Sequence, residues 1–213
     1  MGRVTEPVRG GEDGGDAVAR FERAASAWSA RSGSATVPVP AGLVGALLVE
    51  GASDRAACRE ACRLLGVDPA GSGVAILPMG GAMSVRRFVG LLRPAQLRLH
   101  GLCDAGERGF FERAGLDERS VSVCRPDLEG ELLRALGVER AEAVLAREGD
   151  LGLFRTFQRQ PAQRERPALA QLHRFLGTTS GRKERYGQVL TAELAPAELP
   201  APLREAVEAV LRR

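Results

Sequence analysis

The chain has 213 residues, of which 44% are hydrophobic, and its formal net charge is +3 at pH 7. This length and composition predict one domain with a sizeable core and some additional segments, and no apolar run is long enough to span a bilayer. The near-neutral charge does not by itself indicate a nucleic-acid-binding protein. The acidic N-terminus lacks the apolar segment of a signal peptide, so we expect a cytoplasmic protein with no membrane partner.

The first forty residues are predicted to form an arm, a helix and a linker. Residues 1 to about 14 are rich in glycine and charge, which is typical of disorder. Apolar residues at helical spacing predict a helix over 16–30, and the Ser-, Gly- and Pro-rich stretch 31–40 is typical of a linker.

Strands and helices alternate in the next part of the chain. Short apolar runs predict strands at 46–49, 74–77, 97–103 and 121–124, and the segments between and after them predict helices at 53–65, 84–92, 107–114 and from 127 towards 136. This order predicts an α/β fold with a mainly parallel four-stranded sheet flanked by helices. We expect this domain to span 41–192, with a basic helical segment from about 150. A C-terminal helical appendage would follow at 193–213.

The end of the first strand is where chemistry is expected to begin. Glu50 follows a continuous apolar run, which indicates a strand buried on both faces, and ligands bind at the carboxyl ends of such strands. Gly51 permits a tight turn and Ser53 is a suitable N-cap for the next helix. Asp54 would then lie on the first helical turn and could point back towards Glu50.

Further acids follow the other strands of the predicted sheet. Asp104 follows the third strand, and Asp127 and Glu129 follow the fourth. Right-handed βαβ units place all these positions at one edge of the sheet. Each acid alone is better explained as a helix cap, but carboxylates that cluster repel one another unless a cation joins them. Oxygen ligands of this kind suit Mg²⁺ or Mn²⁺.

The cysteines and histidines do not indicate a metal site of their own. Cys58 and Cys62 are one helical turn apart, and paired C-x-x-C spacings are absent, so the four cysteines are interpreted as buried thiols. His100 and His173 have no partner at a ligand spacing, and we interpret both as structural.

Several separated motifs carry a family resemblance. They are Val49-Glu-Gly-Ala-Ser-Asp54, Gly101-Leu-Cys-Asp-Ala-Gly-Glu107, Asp127-Leu-Glu-Gly-Glu-Leu132, Phe154-Arg-Thr-Phe-Gln-Arg-Gln-Pro161 and Gly177-Thr-Thr-Ser-Gly-Arg-Lys-Glu-Arg-Tyr186. Over about 44–192 the chain resembles a TOPRIM domain, the Rossmann-like metal-binding module of topoisomerases, primases and several nucleases. The resemblance is strongest to the OLD-family (overcoming lysogenization defect) endonucleases, in the compact actinobacterial form labelled ATP-dependent endonuclease.

The resemblance implies a metal-dependent DNA nuclease or nickase with two Mg²⁺ or Mn²⁺ ions. Glu50 would be a metal ligand or general base, supported by Asp54, and Asp104 would bridge the ions. Asp127 and Glu129 would hold the second ion. Lys183, the only lysine of the chain, would stabilise charge on the phosphate.

Two departures from the family pattern leave an alternative open. Gly106 stands where the family's D-x-D motif has its second aspartate, unless Glu107 or a water replaces that ligand. The chain has no G-x-x-x-x-G-K-[ST] motif, so it offers no ATP site, and any ATPase would be a separate partner. A catalytically weak TOPRIM module that binds nucleic acid or a partner protein is the alternative.

The segment from Arg155 to Arg185 has a surplus of positive charge along the sequence. Arg155, Arg159, Arg182 and Arg185 are the predicted contacts to DNA phosphates. The alternative interpretation of this segment is a solvated helical face. Aromatic candidates for stacking on single strands are few: Phe154, Phe157, Phe175 and Tyr186.

Overall fold

The computed structural model describes residues 14–29, 37–179 and 181–212. The disorder predicted before residue 14 and most of the predicted linker lie outside these residues. Helices and strands occur in the order α1 Gly14–Ser29, β1 Gly45–Val49, α2 Ala52–Leu64, β2 Val74–Pro78, α3 Val85–Leu92, β3 Arg98–Asp104, α4 Arg108–Arg113, β4 Val121–Cys124, α5 Leu128–Arg147, α6 Leu151–Gln158, α7 Ala168–Leu176, α8 Arg182–Ala192 and α9 Ala201–Leu211.

The four strands form one parallel sheet in the order β2-β1-β3-β4. All five residues of β1 are buried, as the continuous apolar run predicted. Val49, the last residue of β1, lies beside Pro78 of β2 and Leu102 of β3. The predicted parallel α/β sheet is therefore confirmed, and the carboxyl ends of its strands meet at one edge.

Helices cover both faces of the sheet. On one face, α2, α5, α8 and α9 pack into a core that continues into α6 and α7. On the other face, α1, α3 and α4 enclose a second core around the opposite side chains of the same strands. The last helix, α9, lies against β1, β3 and β4 and buries Val207 and Val210 there.

Helix α5 is longer than the sequence predicted. The predicted segment ends at a non-helical break at Gly137, with φ 74° and ψ 171°, and a second helical segment that the sequence did not predict continues from there to Arg147. Only glycine adopts this backbone conformation readily, so the break needs the residue found there. Among the described residues, no helix is both long and apolar enough to cross a membrane.

Candidate functional site at the carboxyl edge of the sheet

A cleft of about 480 Å³ lies at the carboxyl edge of the sheet. Four predicted site carboxylates and the lone lysine line it: Glu50, Asp54, Asp104, Glu129 and Lys183. They come from the end of β1, the first turn of α2, the end of β3, the first turn of α5 and α8. The structure therefore brings together five of the six residues that the sequence assigned to metal binding or catalysis.

Backbone donors hold two of these carboxylates in place. Glu50 Oε1 accepts a hydrogen bond from the backbone N–H of Asp104 at 2.9 Å, which links the tips of β1 and β3. Asp54 Oδ2 accepts one from the N–H of Gly51 at 2.8 Å. Gly51 is the N-cap of α2, so the predicted N-cap role of Ser53 is wrong, whereas Asp54 lies on the first turn as predicted.

The pKa values of Glu50, Asp54 and Asp104 are raised in the cleft. Burial and the neighbouring charges of Glu50 and other acids raise the pKa of Asp104 to about 7. Burial also raises the pKa of Asp54 to about 7, with Glu129 and Glu50 adding repulsion. The pKa of Glu50 is raised by burial despite its backbone hydrogen bond. Such a cluster is stabilised in its charged form by a cation.

Ser53 ties the lysine-bearing helix to the acid on α5. Its hydroxyl lies 3.0 Å from Glu129 Oε1 and 3.1 Å from the carbonyl oxygen of Lys183, and donates to these acceptors. Lys183 Nζ lies 3.6 Å from Glu129 Oε2. Burial works to lower the pKa of Lys183, but Glu129, Asp127 and Asp104 outweigh it and raise that pKa, so the ammonium stays charged.

Asp127 does not line the carboxylate cleft with the other acids. It is the N-cap of α5, accepts a hydrogen bond from Gly130 N–H at 2.8 Å, and has His173 Nε2 within 2.8 Å of both its oxygens. This pair raises the pKa of His173. Burial works to raise the pKa of Asp127, but its hydrogen bonds lower it. The interpretation of His173 as a purely structural histidine missed its place beside the site.

The residues of the cleft fit a hard divalent cation. Within the described part of the chain, no three His, Cys, Asp or Glu side chains are arranged so that they could hold a metal ion together. Mg²⁺ is commonly held by one or two carboxylates, with water and substrate phosphate completing its six ligands. The four carboxylates can supply that number, and the four cysteines are buried free thiols that do not line the cleft.

Acids from outside the segment from Arg155 to Arg185 pair with three of the four arginines predicted to contact DNA. Arg155 makes two hydrogen bonds to Glu142, at 2.8 and 2.6 Å. Arg182 pairs with Asp150 and Arg185 with Glu148. Counting charges along the segment missed these partners because they lie on α5 and the turn after it. Of the four predicted contacts, Arg159 is exposed and has no acidic partner among the residues described.

A parallel sheet with acids converging at its carboxyl edge defines the class of protein: an α/β protein with an acidic site at the strand ends.

The particular fold follows from comparison with known proteins. Residues 44–105 match the family model of the "Overcoming lysogenization defect protein-like, TOPRIM domain", which confirms the resemblance read from the sequence. The structure is similar to the C-terminal region of the OLD protein of Xanthomonas campestris pv. campestris, with a TM-score of 0.57 and 21% identity over 78% of this chain and 94% of that one. It is equally similar to the C-terminal region of the Burkholderia pseudomallei OLD protein, with a TM-score of 0.57 and 19% identity over 79% and 96%. No curated protein sequence matches the chain.

Proposed function

We propose that this chain is a divalent-metal-dependent nuclease or nickase of the TOPRIM type that hydrolyses phosphodiester bonds in DNA. The observation that carries the proposal is the convergence of four carboxylates and one lysine in a single cleft. Two Mg²⁺ or Mn²⁺ ions bound there would activate a water and neutralise the leaving oxygen.

Each residue has a role that follows from its position. Glu50, Asp54, Asp104 and Glu129 would hold the ions through carboxylate oxygens. Glu50 is also a candidate general base, since its pKa is raised and it lies at the strand tip. Lys183 would place its ammonium against charge that develops on the phosphate, and its pair with Glu129 keeps it aimed into the cleft.

Asp127 has a second possible role besides the metal contact that the resemblance implies. Both its oxygens lie within hydrogen-bonding distance of His173, so a metal on Asp127 would compete with that contact. We propose that Asp127 orients His173 and contributes to a metal site only if the pair opens. Gly106 leaves the D-x-D pair incomplete, which keeps a catalytically weak, nucleic-acid-binding module as the second candidate function.

The DNA phosphates would contact arginines that have no acidic partner. Arg159, Arg164, Arg166 and Arg174 are exposed, and none has an acidic side chain within ion-pair distance in the described residues. Arg155, Arg182 and Arg185 would contribute only by giving up their present acidic partners. Binding through phosphates is insensitive to base sequence and weakens steeply with salt.

Nicking of supercoiled plasmid tests the proposal. The wild-type chain should nick in Mn²⁺ or Mg²⁺ and stop in EDTA. Glu50→Gln keeps the hydrogen bond from Asp104 N–H but removes the charge, so nicking should fall by about a hundredfold or more. Glu139→Gln, an exposed acid on α5 away from the cleft, is the matched control and should leave the rate unchanged.

If neither the wild-type chain nor Glu50→Gln nicks DNA with metal but both still bind it, the catalytically weak binding module is favoured. If the wild-type chain and Glu50→Gln nick at the same rate, the carboxylate cleft is not the reaction site.

A further inference from the structure

A second cavity of about 400 Å³ adjoins the carboxylate cleft. Glu129 and Lys183 line both the cavity and the carboxylate cleft, so this ion pair lies at the boundary between them. Phe157, His173 and Arg174 form part of the remaining wall. The volume lies within the range of pockets that hold small organic groups such as a nucleoside.

One phenylalanine side chain lines this cavity. Of the four aromatics that the sequence offered for base stacking, Phe154, Phe175 and Tyr186 are 0%, 3% and 0% exposed and belong to the core. Phe157 is half-buried and lines the cavity. Its ring packs against Phe175 at a centroid distance of 5.6 Å, a contact that restrains the position of the ring.

Cationic groups line the same cavity as this aromatic ring. Lys183 stands at the side of the carboxylate cleft, and Arg174 is exposed on α7 with no acidic partner among the residues described. An aromatic ring and two cations in one cavity are the groups that a nucleotide needs, because the base can stack while its flanking phosphates are neutralised.

We propose that this cavity is a nucleotide subsite for single-stranded DNA, in which Phe157 stacks on the base next to the phosphate held at Lys183 and Arg174 contacts the following phosphate. The inference rests on the proposed nuclease function and adds the class of substrate. An intact duplex keeps its base faces stacked inside the helix, so it cannot reach Phe157 without unpairing, which costs a few kcal/mol per base.

Equilibrium binding in EDTA tests the subsite without any need for cleavage. The probes are a fluorescent oligothymidylate and an oligomer of the same length that carries only abasic deoxyribose phosphates. The wild-type chain should bind oligothymidylate about 5- to 100-fold more tightly than the abasic strand, which is the scale for one stacked base. Phe157→Leu keeps an apolar side chain against Phe175 but removes the flat face, so most of this discrimination should disappear.

Matched variants separate stacking from loss of fold. Phe110→Leu on α4, another half-buried phenylalanine, should keep the full discrimination. Arg174→Ala should weaken binding to both strands alike and reduce the salt dependence by about one phosphate contact.

Two results would overturn the proposal. The first is a Phe157→Leu variant that still prefers oligothymidylate over the abasic strand as strongly as the wild-type chain does. The second is a wild-type chain that binds duplex DNA as tightly as single-stranded DNA. A chain that nicks plasmid but shows no such discrimination would lose only the subsite. A chain that discriminates but never nicks would keep the subsite and lose the nuclease.

Discussion

Replacing Asp104 by asparagine removes one carboxylate charge from the cleft and so measures the effect of that charge on the stability of the protein. No donor among the described residues hydrogen-bonds the Asp104 carboxylate, so the amide breaks no existing bond of that side chain. The link to Glu50 runs through the backbone N–H of residue 104 and survives the substitution. We therefore expect Asp104→Asn to stabilise the metal-free protein wherever the wild-type carboxylate is ionised.

The size of this effect and its pH window follow from the shifted pKa. The pKa of Asp104 rises from 3.8 to about 7 on folding. Below pH 3.8 both states are protonated and the substitution should be neutral. Between pH 3.8 and 7 the Asp104 carboxyl loses its proton more readily in the unfolded chain, so the stability of the wild-type protein falls as pH rises. Above pH 7 the ionised Asp104 carboxylate destabilises the wild-type protein by its full amount. Three units correspond to at most about 4 kcal/mol.

Thermal melting in EDTA at pH 4 and pH 8 measures this difference. Solvent at the half-buried carboxylate reduces the cost, so we expect about 2 kcal/mol at pH 8, or about 4–8 °C in Tm for a chain of this size. Asp127→Asn is the matched control with the opposite sign. Its pKa is lowered by hydrogen bonds to His173 and Gly130, so losing that charge should destabilise the protein at pH 8.

Added Mn²⁺ provides the second half of the same experiment. Saturating metal should raise the Tm of the wild-type chain, because a ligand that binds only the folded state stabilises it. Asp104→Asn should lose most of this increase. If Asp104→Asn melts no higher than wild type at pH 8 in EDTA, or keeps the full Mn²⁺ shift, the assignment of Asp104 to a strained metal site is wrong.

Variants at three further positions test other parts of the site. Lys183→Ala should reduce turnover by about a hundredfold, and Lys183→Arg, which keeps the charge but not the compact ammonium, should also be slow; an arginine variant as fast as wild type would make Lys183 an ordinary surface cation. Ser53→Ala should lower kcat with little change in KM for DNA, because Glu129 and the Lys183 carbonyl lose their shared donor; a fall in Tm alone would indicate a purely structural role. Gly106→Asp restores the missing D-x-D aspartate at an exposed position where a Cβ would meet no atom within 4 Å, so Mn²⁺ should bind more tightly by titration and unchanged affinity would rule this position out as a ligand.

The grouping of acidic residues at the carboxyl edge of the sheet could be predicted, because it depends only on the order and hydrophobicity of short sequence segments. A strand buried on both faces reads as an apolar run, and parallel strands bring their carboxyl ends to one edge. These two rules place Glu50 and Asp104 side by side, and the structure links them through one hydrogen bond. The same reasoning placed Glu129 in the cleft, on the first turn of the helix after β4.

Contacts between distant helices were beyond the reach of sequence patterns. His173 pairs with Asp127 across 46 positions, and Arg155 pairs with Glu142 on a helix whose length was underestimated. The N-cap prediction for Ser53 failed for a local reason, because α2 begins at Ala52 with Gly51 as its N-cap and Asp54 accepts the hydrogen bond from Gly51 N–H. The Ser53 hydroxyl instead bonds to Glu129 and to the Lys183 carbonyl, two partners that sequence patterns do not reveal.

The packing of α8 on α2 decides whether the two halves of the site meet. The family-model match at 44–105 includes Glu50, Asp54 and Asp104 and ends before Glu129 and Lys183. A Cβ at position 187 would lie 2.7 Å from the carbonyl oxygen of Ser53, so only glycine lets α8 approach α2 this closely. That approach puts the Lys183 carbonyl and Glu129 on the same serine hydroxyl. The proposed metal ligands Glu50, Asp54 and Asp104 therefore lie in the part of the chain that matches the family model, whereas the approach of Lys183 to them depends on one close contact between two helices.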